Sequence, residues 1–283
     1  MKISLTVINK NHEVDKERRY EMVKEAFSKL DDEMHSELYD LMEWMKMNDV
    51  KTLTVTDDDE EYMQSKGDIF MSKFRWINSY ANVTSTTRTG EEEARRLEVI
   101  GRTCYSSHDK ITKTSYMPFL RNIIKNGHES VLEHGSATAF IVTDRGTSHE
   151  IVRHRLASYS QESTRYVKYD DDKHPLTFIK PIAADKHTAT IIKEAAEKAG
   201  ETYLSLIDNN VPPQIARHVL PNCTATTLYM TANYREWRHF FKMRCSPAAH
   251  PNIQDIACDI LINLHDMIPI IFDDIYDEFI IDD

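Results

Sequence analysis

Glycine is scarce in this sequence, which contains seven glycines among 283 residues. None of them forms G-x-G-x-x-G or G-x-x-x-x-G-K-[ST], the glycine-rich loops that hold phosphates in Rossmann folds and in P-loop proteins. The sequence therefore argues against both of these nucleotide-binding architectures. If the protein binds a dinucleotide, its side chains must hold the phosphates.

Long apolar runs and paired cysteines are also missing. No uninterrupted apolar stretch approaches the roughly 20 residues that a membrane helix needs, and the N-terminus turns charged too soon for a secretory signal. We therefore expect a cytoplasmic protein without a membrane segment. The cysteines form no C-x-x-C pair and no zinc-ligand spacing, so we expect reduced thiols. They are Cys104, Cys223, Cys245 and Cys258.

Negative charge dominates the composition. The formal net charge of −11 at pH 7 argues against general nucleic-acid binding, because a basic surface supplies most of the affinity in that class. The charge is unevenly distributed, however. Between Arg217 and Arg244 there are five bases and one acid, a net charge of +4. A basic segment in an acidic protein indicates a small anionic ligand in a pocket.

Helical and strand-like patterns follow one another without the βαβ rhythm of a doubly wound sheet. This order predicts an α+β fold in which mixed helices surround a mainly antiparallel sheet. Residues 1–75 differ in pattern from the rest and are expected to form an N-terminal extension of unknown role. The predicted strands are Lys2–Ile8, Lys51–Thr56, Ile77–Thr84, Ala137–Thr143 and Leu228–Thr231, with a loop and strand region over Tyr159–Lys168. The predicted helices are Glu13–Leu30, Asp32–Asn48, one from Gly90, Tyr116–Lys125, Asp185–Asn209, one from Pro212-Pro213, one from Arg235, and Asn252–Met267.

Three local features refine this prediction. Ser130 and Glu133 have the spacing of a capping box at the start of a short helix. Thr147 or Ser148 can cap the next short helix. The last segment, Asp273–Asp283, contains six acids and no base, so we expect a solvated tail.

The densest cluster of chemistry-bearing residues is RHRLASYSQESTR, residues 153–165. Guanidinium groups bind phosphate oxygens in pairs, and hydroxyls or backbone amides satisfy the remaining lone pairs. The segment therefore predicts an anion receptor. The alternative is an exposed loop whose arginines pair with the protein's many acids.

The helix from Arg235 carries its basic residues on one face, at i, i+3, i+4 and i+7. A basic face beside an apolar stripe suits a half-buried binding helix, and the alternative is a solvated basic face. The basic face consists of Arg235, Arg238, His239 and Lys242, and the stripe, which we expect in the core, of Tyr234, Trp237 and Phe241.

Five segments together resemble one family, the flavin-dependent thymidylate synthases. Residues 153–165 resemble the signature R-H-R-x-x-S-x-N-x-x-S-x-R, and every fixed position matches except one, where Ser160 replaces asparagine. Gln161 stands where other members have glutamate. The other four segments follow the family's order: RTCYS at 102–106, GHESVLEH at 127–134, ARHVLP at 216–221 and NYREWRHFFKMR at 233–244. The resemblance covers about residues 76–270, so we expect residues 76–283 to form the catalytic domain.

The resemblance implies that the protein methylates dUMP to dTMP without a covalent enzyme nucleophile. FAD, reduced by NADPH, would be the hydride carrier, and methylenetetrahydrofolate the one-carbon donor. A homotetramer with sites shared between subunits is implied as well, and Arg244 would be the catalytic residue. The implied dUMP-binding residues are Glu150, Arg153, Gln161, Glu162, Ser163, Thr164, Arg165, Arg217 and Arg244. The implied FAD-binding residues are Ser130, Arg153, His154, Arg155, Gln161, Asn233, Arg235 and His239, with His128 in the flavin and folate pocket.

Two other functions are compatible with parts of the sequence. A nucleic-acid-binding protein could use the RHR segment and the late basic helix, and it would bind DNA or RNA in a salt-dependent way. A metal-dependent hydrolase could use His128 and His134. These histidines are six residues apart rather than at the i, i+4 spacing of a zincin helix, so we expect no metal.

Overall fold

A four-stranded antiparallel sheet organises the protein. The computed structural model describes residues 74–170 and 174–281. The strands are β1 (Arg75–Ile77), β2 (Tyr80–Thr86), β3 (Ser136–Asp144), β4 (Ala157–Gln161), β5 (Thr177–Ile179) and β6 (Ala225–Asn233). The main sheet has the order β2-β3-β6-β4, with every neighbouring pair antiparallel, and β1 pairs with β5 in a separate parallel ribbon.

Helices of very different length follow and interrupt these strands. The mixture of helices with a mainly antiparallel sheet confirms the predicted α+β fold. None of the described helices is long and apolar enough to cross a membrane. The helices are α1 (Gly90–Thr103), α2 (Tyr116–Lys125), α3 (Arg145–Ile151), α4 (Lys186–Asp208), α5 (Pro213–Ala216), α6 (Tyr234–Arg244), α7 (Pro251–Met267) and α8 (Pro269–Tyr276). Short 3₁₀ segments lie at His108–Lys110, Glu129–His134 and Arg217–Val219, and a π-helical turn at Asp277–Ile281 ends the described chain.

One face of the sheet carries the main core. Alternate residues of β3, namely Ala137, Ala139 and Ile141, are at most 2% exposed, as the period of two in a strand requires. The expected apolar stripe of α6 is confirmed, because Tyr234, Trp237 and Phe241 are all fully buried. The indole Nε1 of Trp237 also donates to the backbone oxygen of Ala137 at 3.1 Å, which ties α6 to the sheet.

A second cluster of buried side chains lies between α4 and the β1–β5 ribbon. Trp76 and Phe178 pair across the two strands with ring centroids 5.1 Å apart. Tyr203 of α4 is fully buried in the same cluster. The predicted strand over residues 77–84 is therefore two strands: β1 belongs to this ribbon, and β2 belongs to the main sheet.

The expected caps are wrong in two places. Helix α3 is capped by Asp144, whose carboxylate accepts from both the backbone N–H and the hydroxyl of Thr147 at 2.7 Å. A carboxylate at the end of a buried strand satisfies these donors without a later Ser or Thr cap. Ser130 and Glu133 form no capping box, since their segment is a 3₁₀ helix without a side-chain cap. Glu133 is drawn instead to the guanidinium of Arg235 at 2.5 Å.

The solvated tail was also a wrong prediction over residues 273–281. Phe272 and Ile275 are fully buried, so α8 packs against the core and its apolar residues outweigh the acids between them. Asp274 is held by the buried Arg238. The elements predicted within residues 1–73 lie outside the described residues, as does all of the expected extension except Phe74 and Arg75.

Candidate active site

The candidate site lies where β6 passes into α6. The side-chain oxygen of Asn233 accepts a hydrogen bond from the backbone N–H of Glu236 at 2.9 Å and so caps α6. Trp237, Phe240 and Phe241 are fully buried on the inner side of this helix. Other residues of α6, including Arg235, His239 and Lys242, line an open cleft beside the helix.

The cleft has a volume of about 960 Å³ and a mainly cationic lining. Three segments contribute to it: the 3₁₀ helix 129–134, the RHR segment, and α6 with its cap. Six of the eight residues that the resemblance assigns to FAD line this cleft, namely Arg153, His154, Arg155, Asn233, Arg235 and His239. The other two, Ser130 and Gln161, are not among its described lining residues, and neither is His128.

The guanidinium groups of Arg153 and Arg155 are two exposed cations of the cleft. Both residues are exposed, and within residues 74–170 and 174–281 neither side chain forms an ion pair with the protein. The alternative interpretation of the RHR segment, an exposed loop with its arginines paired to nearby acids, therefore finds no such pair for these two within the described residues. Unpaired guanidinium groups on a concave surface are suited to phosphate oxygens.

Arg238 does not belong to the basic face on which its spacing put it. The residue is 1% exposed, and its two terminal nitrogens each donate to the Asp274 carboxylate at 2.7 Å. Its Nε donates to Glu129 at 3.1 Å, and Nη1 also donates to the backbone oxygen of Ile271. A guanidinium satisfied in this way is a structural link between α6, α8 and the 3₁₀ helix. The exposed basic residues of α6 are consequently Arg235, His239 and Lys242.

Arg244, the expected catalytic residue, is held from two sides at the end of α6. Its Nε donates to Nε2 of His154 at 3.0 Å, and its Nη1 donates to the Glu150 carboxylate at 3.0 Å. His154 is 5% exposed. Burial and the neighbouring Arg244 charge lower the pKa of His154 from 6.5 to about 4, so the imidazole is neutral at pH 7. The structure thus brings Glu150, His154 and Arg244 together.

A second group of predicted residues gathers outside the cleft lining. Nη1 of Arg217 donates to the hydroxyl of Thr164 at 3.4 Å, and Nε of Arg165 donates to the side chain of Gln214 at 3.4 Å. The hydroxyl of Ser163 accepts from the backbone N–H of Arg165 at 3.3 Å. Residues far apart in sequence therefore place two guanidinium groups and two hydroxyls close together, a donor set that suits a phosphate.

Gln161 and Glu162 lie beside this group, at the end of β4. The amide nitrogen of Gln161 donates to the hydroxyls of Ser148 at 3.0 Å and Thr226 at 3.2 Å. The Glu162 carboxylate accepts from the hydroxyl of Tyr169, and burial raises the pKa of that tyrosine. Both side chains are therefore fixed before any ligand arrives.

Sequence reasoning missed Arg145 at the start of α3. Its Nη1 donates to the hydroxyl of Thr226 at 3.1 Å and to the backbone oxygen of Glu162 at 3.4 Å. The residue lies outside every matched segment, and a single arginine before a short helix gives no signal of its own. Its position follows from the pairing of β6 with both β3 and β4.

Three potential metal ligands also meet in the cleft, but they are not the histidines considered from the sequence. Among the described residues, ligand atoms of His154, Glu236 and His239 lie within 4.8 Å of one another. No such group forms around His128 and His134 in that part of the chain. Because Nε2 of His154 already accepts from Arg244, only its Nδ1 faces Glu236, at 3.5 Å.

The fold and the cleft define an α+β protein with an open cleft lined mainly by cationic side chains. A family model described as thymidylate synthase complementing protein matches residues 83–270. The sequence is 37% identical over 180 residues to a flavin-dependent thymidylate synthase from Geobacter sulfurreducens, covering 61% of this chain and 78% of the relative. It is 38% identical over 199 residues to one from Mycobacteroides abscessus, covering 63% of this chain and 78% of the relative.

These matches identify the family. The chain belongs to the flavin-dependent thymidylate synthases and is a methyltransferase enzyme, and the family name implies a flavin cofactor. The fold is similar to that of a UMP/dUMP methylase, PolB from Streptomyces cacaoi, with a TM-score of 0.62 and 21% identity over 73% of this chain and 98% of the other. At this identity the likeness shows the fold.

Proposed function

We propose that the protein methylates dUMP to dTMP, with methylenetetrahydrofolate as one-carbon donor and FAD reduced by NADPH. The observation that carries this proposal is the meeting of Arg244, His154 and Glu150 at the edge of a cationic cleft. The names of the relatives support the product, and PolB was solved with 5-Br dUMP bound. The reductant and the folate rest on the family resemblance.

The cleft has the chemistry that a flavin dinucleotide needs. The chain has no glycine-rich phosphate loop, so side chains must neutralise the diphosphate. Arg153, Arg155 and Arg235 offer guanidinium groups on the exposed surface of the cleft. We propose that these three, with His154, Asn233 and His239, hold FAD, and that Ser130 and Gln161 complete the site. When bound, FAD supplies the hydride chemistry that side chains lack.

The second group is proposed to bind dUMP. Arg165 and Arg217 would pair with the phosphate, and Ser163 and Thr164 would fill its remaining lone pairs. Gln161 and Glu162 would lie alongside the nucleotide, with Arg153 and Glu150 at its edge. Because the phosphate is remote from C5, its binding energy can position the pyrimidine for reaction.

Arg244 is the proposed catalytic residue. Methylation at C5 of uracil requires that carbon to become nucleophilic, and negative charge then develops on the N3/O4 side of the ring. A fixed guanidinium at this edge stabilises that charge. The anchors on Nε and Nη1 hold the group in one orientation before the substrate binds.

The cysteines support a route without an enzyme nucleophile. The thiolate is the reactive form of cysteine, and burial raises the pKa of Cys223 to about 11. Cys245 is 2% exposed, and its hydrogen bond with Cys258, together with burial, raises its pKa. Cys104 is exposed at the end of α1 and does not line the cleft. None of these settings generates a thiolate beside Arg244.

We also propose that the active unit is a homotetramer whose sites are shared between subunits, with His128 in the flavin and folate pocket. Shared sites would explain why the expected ligands of each subunit divide between two groups. Dilution to monomers should then abolish FAD binding. If isolated monomers hold FAD normally, each site is complete within one chain.

The experiment that tests the proposed function follows the visible absorption of bound FAD without oxygen. NADPH is added with and without dUMP, and methylenetetrahydrofolate is then supplied and dTMP measured. We expect bleaching that is faster with dUMP, followed by dTMP formation. An intact oligomer that binds no flavin would refute the proposal. The nucleic-acid alternative is disfavoured because Arg238 is buried and unavailable, and salt-dependent binding to DNA or RNA would revive it.

A further inference from the structure

Glu236 is a buried acid in the cleft that no matched segment assigns to a ligand. It occupies a variable position of the late family segment, one residue after Arg235. The residue is 6% exposed, and burial raises the pKa of its carboxyl group. Burying a carboxylate is unfavourable unless a partner compensates for the lost water. The position of Glu236 therefore requires a partner, and the nearest candidate is His154.

The hydrogen bonds of His154 determine where its proton is. Nε of Arg244 can only donate, so Nε2 of His154, 3.0 Å away, must be the unprotonated acceptor. A neutral imidazole then carries its proton on Nδ1. This atom lies 3.5 Å from Oε1 of Glu236, close enough for the carboxylate to favour the Nδ1–H tautomer.

Other groups around the pair are compatible with this arrangement. His239, one turn from Glu236, faces both members, with its ring centroid 5.9 Å from that of His154. The hydroxyl of Tyr159, in β4, donates to the backbone oxygen of His154 at 2.8 Å. This bond holds the segment that precedes β4 against the strand. Burial and the Glu236 charge raise the pKa of Tyr159 so that it stays a neutral donor.

We propose that Glu236 is a positioning residue for the proposed dUMP methylation. By keeping the proton of His154 on Nδ1, it leaves Nε2 free to accept from Arg244 and so fixes the orientation of the catalytic guanidinium. The inference rests on the proposed role of Arg244 at the pyrimidine. Partners that orient a metal-ligating histidine from behind are commonly worth 10–100-fold in activity, and we expect an effect of the same order for a histidine that orients an arginine.

Substitution of Glu236 by glutamine tests this directly. The glutamine amide is similar in size, but its NH₂ group can donate to Nδ1 and favour the Nε2–H tautomer, which cannot accept from Arg244. We expect kcat for dTMP formation to fall about 10-fold or more, while KM for dUMP and bound FAD stay within about two-fold of the parent. Glu236→Asp retains the carboxylate and should recover part of kcat. The matched control is Glu194→Gln, an exposed acid on α4.

A double-mutant cycle separates positioning from a general structural role. If Glu236 acts through His154, the effect of Glu236→Gln on kcat should disappear in a His154→Gln background. The inference would be overturned if Glu236→Gln lost bound FAD in proportion to kcat. It would also be overturned if the effects of Glu236→Gln and His154→Gln on kcat were additive. So would stoichiometric zinc in the purified protein that Glu236→Gln removes, because the acid would then be a metal ligand.

Assaying dTMP formation by the parent protein distinguishes failure of the proposed function from failure of the role of Glu236. If the parent forms no dTMP with all co-substrates present, the proposed function fails. If the parent is active and Glu236→Gln keeps kcat within about two-fold, only the positioning role of Glu236 fails. Far-UV circular dichroism and thermal unfolding of Glu236→Gln and Glu236→Asp show whether each variant is folded when it is assayed.

Discussion

The same substitution should have different effects at Arg235 and Arg238, two arginines three residues apart on α6. Arg238 is buried and held by Asp274, Glu129 and a backbone oxygen. Arg235 is exposed, and its partner Glu133 is exposed as well. Replacement of each by methionine keeps the apolar stem and removes the charge. Arg238→Met should lower the stability of the fold, whereas Arg235→Met should weaken FAD binding.

The expected magnitudes follow from burial. Removing one member of a buried ion pair costs about 3–5 kcal/mol because the other member keeps its charge without a partner. Arg238 is 1% exposed, but the Asp274 side chain is 50% exposed, so we expect the lower end, about 3 kcal/mol. In a domain of this size that corresponds to a fall in Tm of about 6–12 °C. The side chains of the Arg235–Glu133 pair are 52% and 45% exposed, and such a surface pair contributes at most about 1 kcal/mol.

Urea and thermal unfolding, followed by far-UV circular dichroism at fixed protein and FAD concentrations, measure the stability difference. Titration of each apoprotein with FAD at low temperature, where Arg238→Met is still folded, measures the affinity. Equal loss of stability in the two variants would refute the distinction between the arginines. Unchanged stability in Arg238→Met would refute the structural role of the buried pair.

Three further outcomes are expected. The pKa of His154 is lowered to about 4 in the fold, so its contribution to the free energy of unfolding is complete above pH 6.5. That contribution is lost as the pH falls from 6.5 toward 4, by up to about 1.4 kcal/mol per pH unit. In His154→Gln the urea midpoint should therefore depend less on pH between 6.5 and 4. Gly135→Ala should cost about 1–3 kcal/mol in thermal unfolding, because a Cβ would lie 2.0 Å from the Tyr234 ring. Arg217→Ala should raise KM for dUMP about 10–100-fold through loss of a charged hydrogen bond, whereas the exposed Arg121→Ala should not.

Part of the core was predictable from the sequence because its signals are local. The strand predicted at Ala137–Thr143 and the apolar stripe of α6 are both found in the fold. Arg238 was not predictable in this way. Its spacing from Arg235 puts both on one side of a helix, and only the packing of α8 buries one and leaves the other exposed.

The error at Arg238 and the error at the C-terminus have the same cause. Counting acids over residues 273–283 indicated a solvated tail, whereas residues 273–276 are the end of α8, whose Phe272 and Ile275 are buried. Because this segment was predicted to be a solvated tail, Asp274 was not expected to pair with α6. Burial of its partner, Arg238, was therefore not expected either. Burial of a charge depends on a partner distant in sequence, and single-residue patterns carry no information about such partners.

Asn233 illustrates how the fold restricts the chemistry that a motif implies. Its side-chain oxygen already accepts from the backbone N–H of Glu236 as the cap of α6, so the NH₂ group is its uncommitted hydrogen-bonding group. In the proposed FAD site, Asn233 would therefore donate to an acceptor such as a phosphate or a ring carbonyl. Aspartate would cap the helix equally well, yet it would bring negative charge to a cleft whose exposed arginines attract anions. The requirements of the helix and of the ligand together favour asparagine at this position.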